Sequence, residues 1–320
     1  MPQDNLFLNK NRVAIFAFYN KQAKVLDYVL SYLKYLKEVC SKIVFVADCE
    51  LSDTELKKLE PYVCHVIAMR HGEYDFGSYK RGLNYAKDNG LLDDLDELVL
   101  CNDASYCVSS LVPAFNQMED RACDFWAMTA SKEHQSHLQS YFLVFKKQVV
   151  NHPNFFVFFN EVGKKDSFWS VVSSYELPLK DFYESLGFKG SSLFSLDYGS
   201  EDNPTYYPTE CIEHGVPLIK RKLFSDYEYL MKSTSVYKTV FYLKNNYPKA
   251  YKDVLDGCSS INVAFLLYKI TTITLIPHVK HMLHEIGRFI YRKDVSRRGL
   301  VRHRFFTVPL IMYRKHDHQD

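Results

Sequence analysis

Four apolar runs recur through the first hundred residues, at 13–18 (VAIFAF), 43–47 (IVFVA), 63–69 (VCHVIAM) and 98–101 (LVLC). None of them alternates apolar with polar residues as a half-exposed strand would, so they read as strands covered on both faces, the pattern of a parallel sheet. Helical spacing fills the gaps. Apolar residues at 25, 26, 29, 30, 33 and 36 mark a helix within residues 21–40, and Leu51, Ser52 and Asp53 introduce a short one over 54–59. A β-α-β-α-β-α-β order with short linkers and right-handed crossovers leaves an open, mostly parallel sheet with helices on its faces.

In such a sheet ligands gather at the carboxyl ends of the strands. Tyr19 and Asn20 follow the first run, Asp48 the second, and Asn102 with Asp103 the fourth. Between the third and fourth lies HGEYDFGSYKR, residues 71–81, in which Asp75 or Ser78 is expected to cap a helix. Gly77 would let backbone come close to a ligand there, and a helix start offers N–H groups to an anion such as a diphosphate. Lys80 and Arg81 fall in the first turn, where the helix dipole disfavours cations, which points to phosphate contact.

Beyond residue 103 the pattern is mixed. Helices are expected over residues 111–118, 155–160, 168–175 and 179–186, and strands over 124–129 and 141–145. Residues 191–209, rich in Ser, Gly, Asp, Asn and Pro, read as a long loop able to act as a lid. Residues 215–224 (GVPLIKRKLF) close this part, which gives a catalytic domain at 1–225 and a helical, basic and aromatic region at 226–320. Residues 261–277 are apolar but short and hold Lys269, against a spanning helix; residues 280–315 mix Lys and Arg with Phe and Ile, as suits an anionic membrane surface.

Composition excludes several classes. A net charge of +2 is too small for a uniformly basic nucleic-acid binder, so no nucleic-acid partner is expected. The eight cysteines form no CxxC pair, which removes the usual zinc patterns and suggests reduced thiols in the cytoplasm. No GxGxxG follows the first strand, and no GxxxxGK[ST], GxSxG or HExxH occurs.

The ordered segments YDFGSYKRGL, LVLCNDASY, DFWAMT, HLQSYFLVFKK, SYELPLKDFYESLGF, NPTYYP and GVPLIKRKLF resemble the rhamnan synthesis F family of bacterial polysaccharide glycosyltransferases, over roughly residues 12–225. The resemblance implies a GT-A-like, Rossmann-type α/β sheet and a nucleoside-diphosphate sugar as co-substrate. It also implies Mg2+ or Mn2+ at Asp103. Such enzymes commonly carry Asp-x-Asp after the fourth strand, whereas this chain has Asp103-Ala104-Ser105 and lacks the second carboxylate. By the same resemblance Tyr19 and Asp48 border the nucleoside base. Asp75, Gly77 and Lys80 meet the ribose and diphosphate, Asn102 and Asp103 lie at the diphosphate, and His137, Gln139 and Ser140 lie where sugar and acceptor meet. Glu176 is the first candidate for the general base and Asp124 the second, with His137 as a third catalytic candidate. Asn203, Thr205 and Lys220 are assigned to the acceptor side.

The expected activity is sugar transfer, with rhamnose or a similar hexose, to a lipid-linked or oligosaccharide acceptor of a surface polysaccharide such as O-antigen or capsule. That work would take place in the cytoplasm at the inner face of the membrane. Two alternatives stay open: a non-catalytic partner of a membrane polysaccharide complex, and a sugar-phosphate nucleotidyltransferase. The second usually needs a glycine-rich loop after the first strand, where this chain has FAFYNKQAK.

Overall fold

A computed structural model describes residues 10–199, 202–225 and 234–257, and the strand backbone at 291–295, 300–305 and 308–314. The chain divides into two compact units, Met1–Gly257 and Cys258–Asp320.

The first unit is built on an eight-stranded sheet in the order β3-β2-β1-β4-β8-β6-β7, with β9 also paired to β6. Its strands are β1 (Arg12–Phe18), β2 (Lys42–Ala47), β3 (His65–Ala68), β4 (Glu97–Asn102), β6 (Phe125–Ser131), β7 (His137–Leu138), β8 (Phe142–Lys146) and β9 (Gly190–Ser195). β3, β2, β1 and β4 run parallel. β8 lies antiparallel between β4 and β6, so β6 points the same way as β4. This is a mostly parallel Rossmann-type sheet flanked by helices, as the sequence led us to expect. Every residue of β1 and β4 is buried, which is why both read as unbroken apolar runs.

The helices that position the site are α1 (Asp27–Leu36), α2 (Asp53–Leu59) and α3 (Tyr74–Asp88). α3 lies so close to β1 that a Cβ on Gly82 would sit 2.2 Å from Ile15 Cγ2. Only glycine allows that approach. At the amino ends of the central strands, Arg12 and Glu97 form a buried ion pair at 2.5 Å, with the guanidinium 4.8 Å from the Phe115 ring centroid on α4 (Val112–Glu119).

Two short strands stand apart from the main sheet. β5 (Ser105–Cys107) pairs antiparallel with β10 (Leu218–Lys220), so Lys220 lies opposite Ser105 and Arg221 N–H bonds Ala104 O at 2.9 Å. A segment more than a hundred residues downstream is thereby laid over the end of β4.

Several local expectations change. Residues 191–195 are strand β9, not loop, because they pair in parallel with β6 and tertiary pairing overrides the weak strand propensity of GSSLFS. The remaining described part of 191–209 carries the 3-10 turn Pro204–Tyr206 and the start of helix Pro208–Glu213. Helix α3 begins at Tyr74 with Glu73 at its cap, so the expected caps Asp75 and Ser78 both lie inside the helix. The helical expectation for the C-terminal region holds at Thr234–Asn246 and Pro248–Gly257, which belong to the first unit. In the second unit Tyr291–Val295, Leu300–Phe305 and Val308–Arg314 instead form a three-stranded antiparallel sheet; their β-branched and aromatic residues favour extended backbone. Residues 261–277, and the parts of 280–315 outside those strands, lie outside the described residues. Among the described residues no helix is long and apolar enough to cross a membrane.

Candidate active site

At the carboxyl ends of β4 and β6 a cavity of about 550 Å³ opens between the β5–β10 ribbon, the start of α3 and the segment 168–177. Asp75, Asn102, His137, Gln139, Ser140, Glu176, Asn203, Thr205 and Lys220, all candidates from the sequence, line it. They come from six separate stretches of chain.

Glu176 is held by its local backbone. Val172–Glu176 is a π-helical turn leading into the helix Leu177–Ser185, whose Pro178 has no N–H to continue an ordinary helical ladder. Glu176 Oε2 accepts the backbone N–H of Ser140 at 2.8 Å and also the Ser140 hydroxyl. Glu176 Oε1 lies 3.8 Å from His137 Nε2. His137 Nδ1 sits 2.8 Å from the Gln135 carbonyl, which can only accept, so the ring proton is on Nδ1. His137 Nε2 is thus the nitrogen turned toward Glu176.

Asp75 occupies the opposite wall. Asn102 Nδ2 donates to its Oδ2 at 2.7 Å. Burial and the neighbouring Asp103 push the Asp75 carboxyl up to about 7, against the pull of Lys220 and the Asn102 hydrogen bond. Lys220, 3.9 Å from the Tyr141 ring centroid, moves the other way: burial pushes its ammonium down to about 8, although Glu176 draws it back. The cavity therefore holds a carboxyl and an amine that both change charge near neutrality, a feature that concentrates at functional sites.

Asp103 is not among the cavity-lining residues. It is buried beneath, where its Oδ2 accepts from the Tyr28 hydroxyl at 2.7 Å and from Arg221 Nη1 at 2.9 Å. Burial raises its pKa, and the Arg221 charge and Tyr28 hydrogen bond oppose that rise. Arg221 also stacks on Tyr28, 4.3 Å from the ring centroid, and lines the cavity together with Lys220 and Lys222. These residues do not fit a divalent cation at Asp103. The guanidinium occupies the carboxylate, the second acid of the usual pair is absent, and no cluster of three or more His, Cys, Asp or Glu suited to a metal occurs among the described residues.

Five other candidates lie elsewhere. Asp48 accepts the N–H groups of His71 (2.6 Å) and Gly72 (2.8 Å) and pairs with Arg70 at 2.5 Å, so it ties down the β3–α3 loop. Tyr19 is an exposed ring under Arg70. Gly77 is buried in the first turn of α3 with its N–H on Glu73 O at 3.1 Å; it is not a helix start offering free amides. Lys80 caps the helix Phe155–Asn160 through the carbonyls of Asn160 (3.1 Å) and Val162 (2.9 Å), which explains a cation near the start of α3 without a phosphate. Asp124 precedes β6, at the end of that strand away from the cavity, and binds Gln148 and Lys189.

Gln139 carries the far wall. It accepts from Thr129 Oγ1 at 2.7 Å and donates to Asn203 Oδ1 and Thr205 Oγ1, both at 3.3 Å, while Asn203 donates to Glu133 at 2.5 Å. Sequence reading had not singled out Arg221, Tyr28 or Glu133. The only available signal was the basic run KRK after an apolar strand, and it gives no hint of the partner Asp103.

The sequence profile of Rhamnan synthesis protein F matches residues 43–284. The chain belongs to that family. Virulence protein VirA of Vibrio anguillarum is 28% identical over 209 residues, covering 62% of this chain and 64% of VirA. The uncharacterized protein y4gN of Sinorhizobium fredii is 22% identical over 57% of this chain and 48% of its own length. The chain thus spans about half to two thirds of the curated relatives it matches. Among solved structures, 4-diphosphocytidyl-2C-methyl-D-erythritol synthase from Anaerococcus prevotii shares 12% identity over 64% of this chain and 96% of that one, at a TM-score of 0.37. Core-mannan synthase A from Aspergillus fumigatus, in its Mn/GDP form, shares 10% identity over 48% of this chain and 64% of that one, at 0.30.

Proposed function

We propose that this member of the rhamnan synthesis F family is a glycosyltransferase. It moves a hexose or deoxyhexose, rhamnose among them, from a nucleoside-diphosphate donor to a growing surface polysaccharide on a lipid carrier. One observation carries the reading: three cations, Lys220, Arg221 and Lys222, share a single cavity with the carboxyl groups of Asp75, Glu133 and Glu176. The cations suit a leaving diphosphate. A cavity-lining carboxylate whose hydrogen bonds from Ser140 fall on one oxygen, Oε2, suits an attacking hydroxyl.

In this reading Arg221 and Lys220 meet the diphosphate, and Asp103 with Tyr28 holds the guanidinium in place through the 2.9 Å and 2.7 Å contacts already described. Glu176 Oε1 accepts the proton of the acceptor hydroxyl. The acceptor oxygen then bonds the anomeric carbon as the bond from that carbon to the diphosphate breaks, and the nucleoside diphosphate leaves with the electron pair. Ser140, by two hydrogen bonds to Oε2, fixes the carboxylate so that the other oxygen does this work. Protein cations carry the charge of the leaving group, in keeping with the missing second carboxylate after Asp103.

The test is a panel of nucleoside-diphosphate sugars offered to the full chain, with and without oligosaccharide acceptor, and nucleoside diphosphate release as the readout. Release from one donor supports the reading. Absence of both binding and release across the panel overturns it and leaves the non-catalytic partner.

A further inference from the structure

The mouth of the cavity carries large apolar rings that the catalytic reading does not use. Tyr74 is 39% exposed, Phe168 62% and Trp169 50%, and all three line the cavity. They come from two elements, the start of α3 and the helix Phe168–Val171. Tyr74 and Phe168 lie 6.4 Å apart between ring centroids, and His134 meets the Trp169 ring edge-on at 4.5 Å. Tyr74 and His134 both adopt left-handed backbone (φ 56° and 67°), a conformation a side chain rarely takes. Such strain persists where the surroundings hold it, commonly at a ligand clamp.

Polar groups alternate with the rings. His134 borders Trp169, and Glu133, which also lines the cavity, is tied to Asn203 at 2.5 Å. Flat rings interleaved with hydrogen-bonding side chains suit a ligand with apolar faces and polar edges. A pyranose has that shape. An extended lipid chain would meet charge at Glu133, and a phosphate would find no cation among these rim groups; the cavity's basic residues stand on the ribbon side.

We infer that Tyr74, Phe168 and Trp169 form a stacking platform for the saccharide acceptor, leading its terminal sugar inward to Glu176. This rests on the glycosyltransferase reading for the direction of the chain, but not for the binding of sugar itself.

The chain has two tryptophans, and the other, Trp126, is buried at 1% exposure. Intrinsic fluorescence therefore reports on the rim. Short neutral hexose and deoxyhexose oligosaccharides are titrated into the full chain without donor, with calorimetry in parallel. A saturable change in emission, abolished in Trp169→Phe, is expected. Phe168→Ala should weaken saccharide affinity about tenfold, as loss of a stacked ring does, and leave nucleoside-diphosphate affinity unchanged. Phe168 is exposed enough that folding should be untouched. No saccharide binding by either method overturns the platform, whether or not donor is turned over. So does a response to polyprenyl phosphate in micelles with none to saccharide. Saccharide binding in a chain that never turns over donor supports the platform and sinks the transferase reading alone.

Discussion

Arg221 Nη1 and Asp103 Oδ2 meet at 2.9 Å, although 118 residues separate them in the chain. The contact converts a buried acid into a mount for a cation at the cavity wall. Asp103 is then a positioning residue, and its loss should act through Arg221. Arg221→Ala is expected to cut kcat by about 10²–10³, the usual cost of removing one group that stabilises developing charge. Asp103→Asn keeps an acceptor for the guanidinium and should cost less. A donor kinetic series tests the order; an Asp103→Asn defect larger than that of Arg221→Ala would contradict it.

The same pair bears on metal dependence. With a guanidinium on the carboxylate, no divalent ion is needed there to balance the leaving diphosphate. Initial rates after treatment with a chelator should stay close to the untreated value. Complete loss, restored by Mn2+ or Mg2+, would show that Arg221 does not fill that role.

The pH profile should carry two signatures. Asp75 is raised to about 7, so the folded chain holds its proton where the unfolded chain has released it. The stability from that proton is complete below the unfolded value near 3.8 and is lost as pH rises through about 7. Asp75→Asn should therefore melt with less pH dependence over that window and gain stability on the wild type towards its alkaline end. Lys220, lowered to about 8, loses its charge as pH rises through that value. Nucleoside-diphosphate affinity should fall on the same limb, and Lys220→Arg should move the fall to higher pH. Flat profiles in both variants and wild type would contradict the assignment.

Gly82 offers a test of the scaffold alone. A methyl group there would lie 2.2 Å from Ile15 Cγ2. Gly82→Ala should cost about 1–3 kcal/mol by overpacking, despite the better helix propensity of alanine. Denaturant unfolding reads this directly, and an unchanged or raised midpoint would mean that α3 is not pinned to β1.

The sheet was legible because β1, β2 and β4 are buried on both faces, and burial of that kind writes itself as unbroken apolar sequence. Part of the cavity was legible for a related reason. Residues 137–140 and Glu176 stand where polar side chains interrupt apolar elements. The long-range joins were not. Nothing local in Asp103 or in the run Lys220-Arg221-Lys222 announces that β5 pairs with β10. Lys80 and Gly77 looked like phosphate-binding residues because a helix start was inferred from capping residues. Tyr74 opens the helix earlier through a left-handed backbone, which residue type does not encode. Asp48 met the rule for a strand-end acid, yet a loop had already taken up its oxygens.

The central claim is that one cavity divides its work between a cationic wall for the diphosphate and Glu176 for the acceptor. It is tested most directly by measuring sugar transfer and nucleoside-diphosphate affinity side by side in Glu176→Gln. The account predicts transfer reduced about 10²–10⁴-fold, the range for loss of a general base, with affinity for the nucleotide retained. Transfer at the wild-type rate in that variant would contradict it.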